Sequence, residues 1–249
     1  MIDRDRFFAA VRARLFGGTL SQDQVDGTTA VLNEWELRKL TDLRWLAYML
    51  ATAKHETNAT MQPVREAYYV APTYEGAEAW RKTHLRYWPF YGRGLVQLTW
   101  LDNYRKMNVA LAKRFPKLDL VAEPERACEL DIAVAVMFEG MLKAETGIGD
   151  FTGTCIEQYF NATTDDAVNA RRIINGTDRA QLIAGYHHDF LQALLQATGT
   201  TIATTVPEPA PKPIVGLLDP VEAIKRLQAK AGIKVDGLVG PATRVALGI

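Results

Sequence analysis

Apolar residues recur at helical intervals along most of residues 1–197, and the clearest case runs from Leu43 to Glu56. Leu46, Met49 and Ala53 fall on one face of this predicted helix, and Glu56 continues the same series. An apolar setting disfavours a charged carboxylate, and the negative end of the helix dipole disfavours it further. We therefore predict that Glu56 is held as a neutral acid that can donate a proton.

The same periodicity and the capping residues predict further helices. Ser21 and Gln24 form a capping-box pattern at one helix start, and Asp178 and Gln181 form another. The predicted helices cover residues 3–15, 21–35, 105–115, 124–144 and 178–197. We expect the helix at 124–144 to be the central buried one, because of its inward apolar residues. The fold is therefore expected to be mainly α.

Residues 95–100 alternate between apolar and polar positions, which predicts an extended strand with Gln97 and Thr99 on one side. An amide and a hydroxyl beside an aromatic ring such as Tyr91 are typical of a sugar-binding surface. From these residues alone, an ordinary hairpin with core aromatics remains an alternative. The aromatic residues expected to line a cleft, or else to fill a small core, are Tyr68, Tyr69, Tyr74, Trp80, Tyr87 and Trp88.

A second carboxylate, Glu66, follows Glu56 after a possible helix end and Pro63. A chain that turns back in this way can set two carboxylates across a cleft, as the hydrolysis of a glycosidic bond requires. Glu75 and Glu78 compete with Glu66 for the second role.

Four segments of the chain carry a resemblance to a known family. H-E-T at 55–57 and F-Y-G-R-G-L-V-Q-L-T-W-L-D-N-Y at 90–104 are followed by D-F-T-G at 150–153 and A-R-R-I-I-N-G-T-D-R at 170–179. Together they resemble the family-19 glycoside hydrolases, which include plant-type chitinases and many phage endolysins. The resemblance implies a lysozyme-like helical fold, with a substrate cleft between two lobes and a small β-hairpin.

The resemblance also implies roles for individual residues. Glu56 would be the general acid and Glu66 the base, as in endolysin-like members, whereas plant-type chitinases place the base nearer Glu78. The matching positions for the nucleophilic water and the substrate are Gln97, Thr99, Asn103, Asn175 and Arg179. The sequence departs from the family after H-E-T, where Asn58, Ala59 and Thr60 replace glycines, so the shape of that loop stays open.

The composition changes abruptly after residue 197. Residues 198–216 are rich in Thr, Pro and Ala, which is typical of an extended linker between modules. Residues 217–249 resemble a small helical peptidoglycan-binding module through L-Q, D-G, G-P and T at characteristic spacings. We expect a catalytic domain at 1–197, a linker, and this module.

Charge and motifs narrow the function further. The formal net charge is +0, which gives no general case for binding nucleic acid or an anionic membrane. A zinc protease would need a second histidine where Ala59 stands, so neither a metal nor another cofactor is expected. Cys128 and Cys155 are predicted to be free thiols. No signal peptide or membrane-spanning segment is predicted, so we expect the protein to stay in the host bacterial cytoplasm until it is released to the cell wall. We also expect it to be a monomer.

These observations favour an endolysin-type muramidase that cuts β-1,4 bonds in bacterial peptidoglycan with two glutamates. A chitinase is the alternative within the glycosidases. A wall-binding protein without catalysis is the alternative from another class. A lytic transglycosylase would need only the acid and would release an anhydro sugar.

Overall fold

The computed structural model describes residues 1–143 and 151–200. The predicted module at 217–249, the linker beyond residue 200 and Asp150 of the D-F-T-G motif lie outside the described residues.

The described residues are mainly α-helical, as predicted. The α-helices are Arg4–Leu15 (α1), Gln22–Leu37 (α2), Leu43–Glu56 (α3), Tyr74–His84 (α4), Leu101–Leu111 (α5), Leu130–Met141 (α6), Arg172–Asn175 (α7) and Ala180–Thr198 (α8). Short 3₁₀ helices cover Pro124–Cys128, Ile156–Gln158 and Asn169–Arg171.

A two-stranded antiparallel sheet lies beside these helices. It pairs Val64–Arg65 (β1) with Arg93–Gly94 (β2), so that Val64 lies opposite Gly94 and Arg65 lies opposite Arg93. Helix α4 lies in the connection between the two strands. This small sheet confirms the predicted minor β component.

Local capping explains where the first three helices begin. The side chain of Asp3 caps α1 and that of Asp42 caps α3, each by accepting a backbone N–H of the first turn. Ser21 and Gln24 form both bonds of the predicted capping box at the start of α2. These starts were predictable because the capping groups lie next to each other in the sequence.

The core is built around two helices that are buried on nearly every side. Residues 46–54 of α3 and residues 132–138 of α6 are all buried. Helix α3 packs against α8, which also packs against α1. Burial of each large apolar side chain stabilises the fold by about 2 kcal/mol. Because α3 is fixed along its length, its last residue, Glu56, has a defined position.

Three predicted helix boundaries were wrong. The single helix expected at 124–144 is divided, because Glu129 has ψ 130° and separates the 3₁₀ turn from α6. Helix α5 starts before Tyr104 and ends at Leu111, short of Phe115. Asp178 does not cap α8, whose N-cap is Arg179 in a left-handed conformation with no side-chain cap.

Cys128 and Cys155 are free thiols, as predicted. Burial raises the pKa of Cys128, which keeps that thiol protonated. Among the described residues, no helix has the length and hydropathy needed to cross a membrane.

Candidate active site

Glu56 lies at the C-terminal end of α3, where its side chain is 13% exposed. The guanidinium of Arg171 donates a hydrogen bond of 2.6 Å from Nη1 to Glu56 Oε1. Arg171 is itself only 1% exposed, and its Nε donates to the Asp178 carbonyl. The setting of Glu56 is therefore not the purely apolar one that was predicted, because a buried cation faces the carboxylate.

The loop after Glu56 has positive φ angles of the kind that glycine usually adopts, although it contains no glycine. Asn58, Ala59 and Met61 all have positive φ, at 51°, 63° and 58°. Such angles are uncommon for residues with a Cβ and persist where the surroundings fix them. Gln24 donates to the Ala59 carbonyl at 2.9 Å, which ties the loop to α2. The loop therefore has a defined conformation although it contains no glycine.

Glu66 follows β1 directly, and both of its carboxylate oxygens accept hydrogen bonds. The Tyr87 hydroxyl donates to Oε1 at 2.6 Å, and the Gly92 N–H donates to Oε2 at 2.8 Å. The Glu66 N–H in turn donates to the Gly92 carbonyl at 2.7 Å. These bonds hold the carboxylate of Glu66 in one orientation.

Glu56 and Glu66 line the same groove, which has a volume of about 580 Å³. This volume is within the range of small-molecule sites in proteins. The other residues of the groove are Tyr87, Val96, Gln97, Leu98, Thr99, Trp100, Asn103, Phe151, Thr152, Ile174 and Asn175. The structure thus brings six of the eight predicted site residues together.

The predicted strand at 95–100 does not form. Gln97 and Thr99 reach the groove from a turn and the residues after it, and Asn103 reaches it from the first turn of α5. Residues 95–97 turn, Arg93 pairs with Leu98, and Gln97 has φ 55°. Gln97 Nε2 donates to the Val64 carbonyl at 3.2 Å, and Thr99 Oγ1 donates to the Gln97 carbonyl at 2.7 Å. These bonds fix the polar side chains that face the two carboxylates.

Asn175, the last residue of α7, also lines the groove, although it is distant in sequence from the residues of the turn. Phe151 and Thr152 of the D-F-T-G motif lie there too, although their role was not predicted. The Phe151 ring occupies the space above Gly140 of α6, where an added Cβ would lie 1.9 Å from the ring. Thr152 Oγ1 donates to the Arg172 carbonyl at 3.0 Å, which joins the motif to the first residue of α7.

Tyr91 is not a surface residue, so its predicted contact with substrate was wrong. It is fully buried, and its hydroxyl donates to Glu78 Oε2 at 2.8 Å and to Glu125 Oε1 at 3.1 Å. The Arg93 guanidinium carbon lies 3.5 Å from its ring centroid, and that of Arg81 lies 4.8 Å away. Tyr91 therefore holds the strand behind the groove in place.

Glu78 belongs to this buried network and does not line the groove. It also accepts hydrogen bonds from Trp88 Nε1 at 2.7 Å and Arg81 Nη1 at 3.2 Å. Burial acts to raise the pKa of Glu78, but these three donors outweigh burial and lower it. Of the candidates for the second carboxylate, Glu66 lines the groove with Glu56, whereas Glu75 and Glu78 do not.

Arg179 is exposed at the start of α8 and is not among the groove residues. Its charge contributes to the environment of His55, whose pKa is lowered by burial and by the charges of Arg171 and Arg179. The predicted contact of Arg179 with substrate therefore has no support from its position.

Sequence reasoning missed Arg171, although it lies within the A-R-R-I-I-N-G segment. A periodic pattern around Glu56 cannot reveal a partner 115 positions away. Tyr87, named only as a general cleft aromatic, lines the groove, and Trp100 lines it as well. No cluster of three or more side chains suited to a metal ion occurs in residues 1–143 and 151–200.

No protein-family model, curated protein or solved structure matches the chain.

Proposed function

We propose that this protein is a glycoside hydrolase of the family-19 type that cuts β-1,4 bonds in bacterial peptidoglycan. The observation that carries the proposal is that Glu56 and Glu66 line one groove, together with amide and hydroxyl groups and exposed aromatic surface. Paired carboxylates across a groove are the machinery of glycoside hydrolysis. The resemblance of the groove segments to the family-19 glycoside hydrolases supports the same proposal.

In this proposal Glu66 acts as the base. Tyr87 and Gly92 donate hydrogen bonds to its two oxygens. Gln97 and Thr99 line the groove beside it and would position the attacking water. A base must be held in a fixed direction towards the water that it activates, and this hydrogen-bonding arrangement provides that direction.

Glu56 acts as the acid, which must carry a proton when the glycosidic bond breaks. In the free protein, Glu56 is paired with Arg171. A sugar that fills the groove would remove the remaining water from Glu56, and loss of water favours the neutral acid. The proposed acid step therefore depends on substrate occupying the groove.

The choice of peptidoglycan over chitin rests on the resemblance of residues 217–249 to wall-binding modules. Lysis from inside a host cell, after the membrane is breached, is part of the same proposal.

The experiment is to measure turbidity loss of permeabilised bacteria with the full chain, Glu56→Gln and Glu66→Gln. Each variant should lose activity by at least about 10²-fold, because each removes one of the two proton-transfer groups. Circular dichroism should show that both variants stay folded. The same assay on Glu75→Gln serves as the matched control and should show full activity. Lysis by Glu56→Gln at the rate of the unchanged protein would refute the proposal.

A further inference from the structure

Trp100 gives the groove an exposed aromatic face. It lines the groove, is 45% exposed, and begins α5 with φ 74°. The Tyr87 ring lies against it, with the ring centroids 4.8 Å apart. A supported, half-exposed indole is suited to stacking on the apolar face of a sugar ring. Stacking alone does not distinguish one N-acetylated hexosamine from another.

Arg86 places a positive charge beside this ring. Its guanidinium carbon lies 5.1 Å from the Trp100 ring centroid, and its side chain is exposed. Within residues 1–143 and 151–200, no carboxylate lies within ion-pair distance of Arg86, whereas Arg171 is paired with Glu56. Arg86 also directly precedes Tyr87, which lines the groove.

Arg86 is not itself a groove-lining residue. It lies at the edge, next to two residues that are. A cation in this position would meet a substituent that projects from the sugar ring, rather than the ring itself.

We infer that Arg86 and Trp100 together form a subsite for a hexosamine that carries a carboxylate. Trp100 stacks on the ring and Arg86 pairs with the carboxylate. This inference rests on the proposed function and narrows its substrate. Peptidoglycan offers such carboxylates, either on the lactyl ether of muramic acid or on the attached peptide, whereas chitin offers none.

The chain contains a matched control for this pair. Lys82 Nζ lies 5.2 Å from the Trp88 ring centroid, and both side chains are exposed, but neither lines the groove. Lys82→Gln therefore removes a similar cation from a similar ring at a different place. Arg86→Gln removes the cation of the inferred subsite.

The test is tryptophan-fluorescence titration of the full chain, Arg86→Gln and Lys82→Gln with three ligands. The ligands are the N-acetylglucosamine–N-acetylmuramic acid disaccharide with a free lactyl carboxylate, the same disaccharide carrying a peptide with free carboxylates, and diacetylchitobiose. Arg86→Gln should weaken binding of at least one carboxylated ligand by about three- to fivefold, as for a partly exposed ion pair. Diacetylchitobiose should bind unchanged, and Lys82→Gln should change none of the three.

The two carboxylate sources are separated by which ligand responds to Arg86→Gln, and either response supports the subsite. Equal weakening of all three ligands would overturn it, because Arg86 would then only support Trp100. No weakening of any ligand, or no binding at all, would also overturn it. An Arg86-dependent preference in a protein that cuts no glycan would refute the proposed hydrolase and leave the subsite intact.

Discussion

Gly92 is a position at which a single added methyl group should disturb two polar residues of the groove, Glu66 and Gln97. Its N–H and carbonyl both bond to Glu66, at 2.8 and 2.7 Å. A Cβ at this position would lie 2.6 Å from Gln97 Oε1 and 3.2 Å from Gln97 Cβ. In Gly92→Ala, Gln97 must therefore move, and its hydrogen bond to the Val64 carbonyl at 3.2 Å is disturbed.

The size of the effect follows from these contacts. Overpacking of this kind costs about 1–3 kcal/mol, and a disturbed neutral hydrogen bond adds about 1 kcal/mol. Glu66 and Gln97 are both groove residues, so a shift of the pair also displaces catalytic geometry. We expect activity on peptidoglycan to fall by about 10²-fold, the loss associated with a misplacement on the order of 1 Å.

The assay pairs urea unfolding with turbidity loss of permeabilised bacteria. The matched control is Gly185→Ala in α8, where an added Cβ meets nothing within 4 Å. That control should keep full activity and should gain about 0.5–1 kcal/mol, because alanine favours a helix more than glycine does. If Gly92→Ala keeps both the stability and the activity of the unchanged protein, the reasoning about Glu66 and Gln97 is wrong.

Two further predictions concern buried ionisable side chains. Burial lowers the pKa of His187 from 6.5 to about 4, so the unfolded chain takes up this proton first as the pH falls. The associated stability is full above pH 6.5 and is lost towards pH 4, with about 2 kcal/mol gone at pH 5. Urea unfolding at pH 7 and pH 5 should show this loss in the unchanged protein and in the control His188→Gln, which alters an exposed neighbour. His187→Leu should not show it. The same loss in His187→Leu would mean that His187 is not the group responsible. Separately, Arg171→Met should lower the unfolding free energy by about 3 kcal/mol, because it leaves Glu56 unpaired. The same substitution should lower the unfolding free energy clearly less in a Glu56→Gln background. An equal loss in both backgrounds would show that Arg171 and Glu56 do not stabilise each other.

The sequence predicted the features that depend on neighbouring residues. The caps at Ser21 and Asp42 and the helical face that ends at Glu56 follow from spacings of a few residues. The mainly α fold follows from the same signals. The boundary at Glu129 was missed, because apolar periodicity continues across the extended residue that divides the helix.

The errors in the candidate site come from long-range contacts. Tyr91 was expected at the surface, but carboxylates from α4 and the 3₁₀ turn bury it. Alternation at 95–100 indicated a strand, yet the chain turns there with Gln97 at positive φ. Arg171 reaches Glu56 from a distant segment. Such partners are set by tertiary packing, which periodicity within one segment does not contain.

The most direct test of the central claim is analysis of the products released from purified peptidoglycan. The unchanged protein should generate new reducing-end N-acetylmuramic acid with water added across the broken bond, and Glu56→Gln should generate none. Anhydro sugars, cleavage confined to peptide bonds, or undiminished product from Glu56→Gln would contradict the account of two glutamates hydrolysing a glycosidic bond.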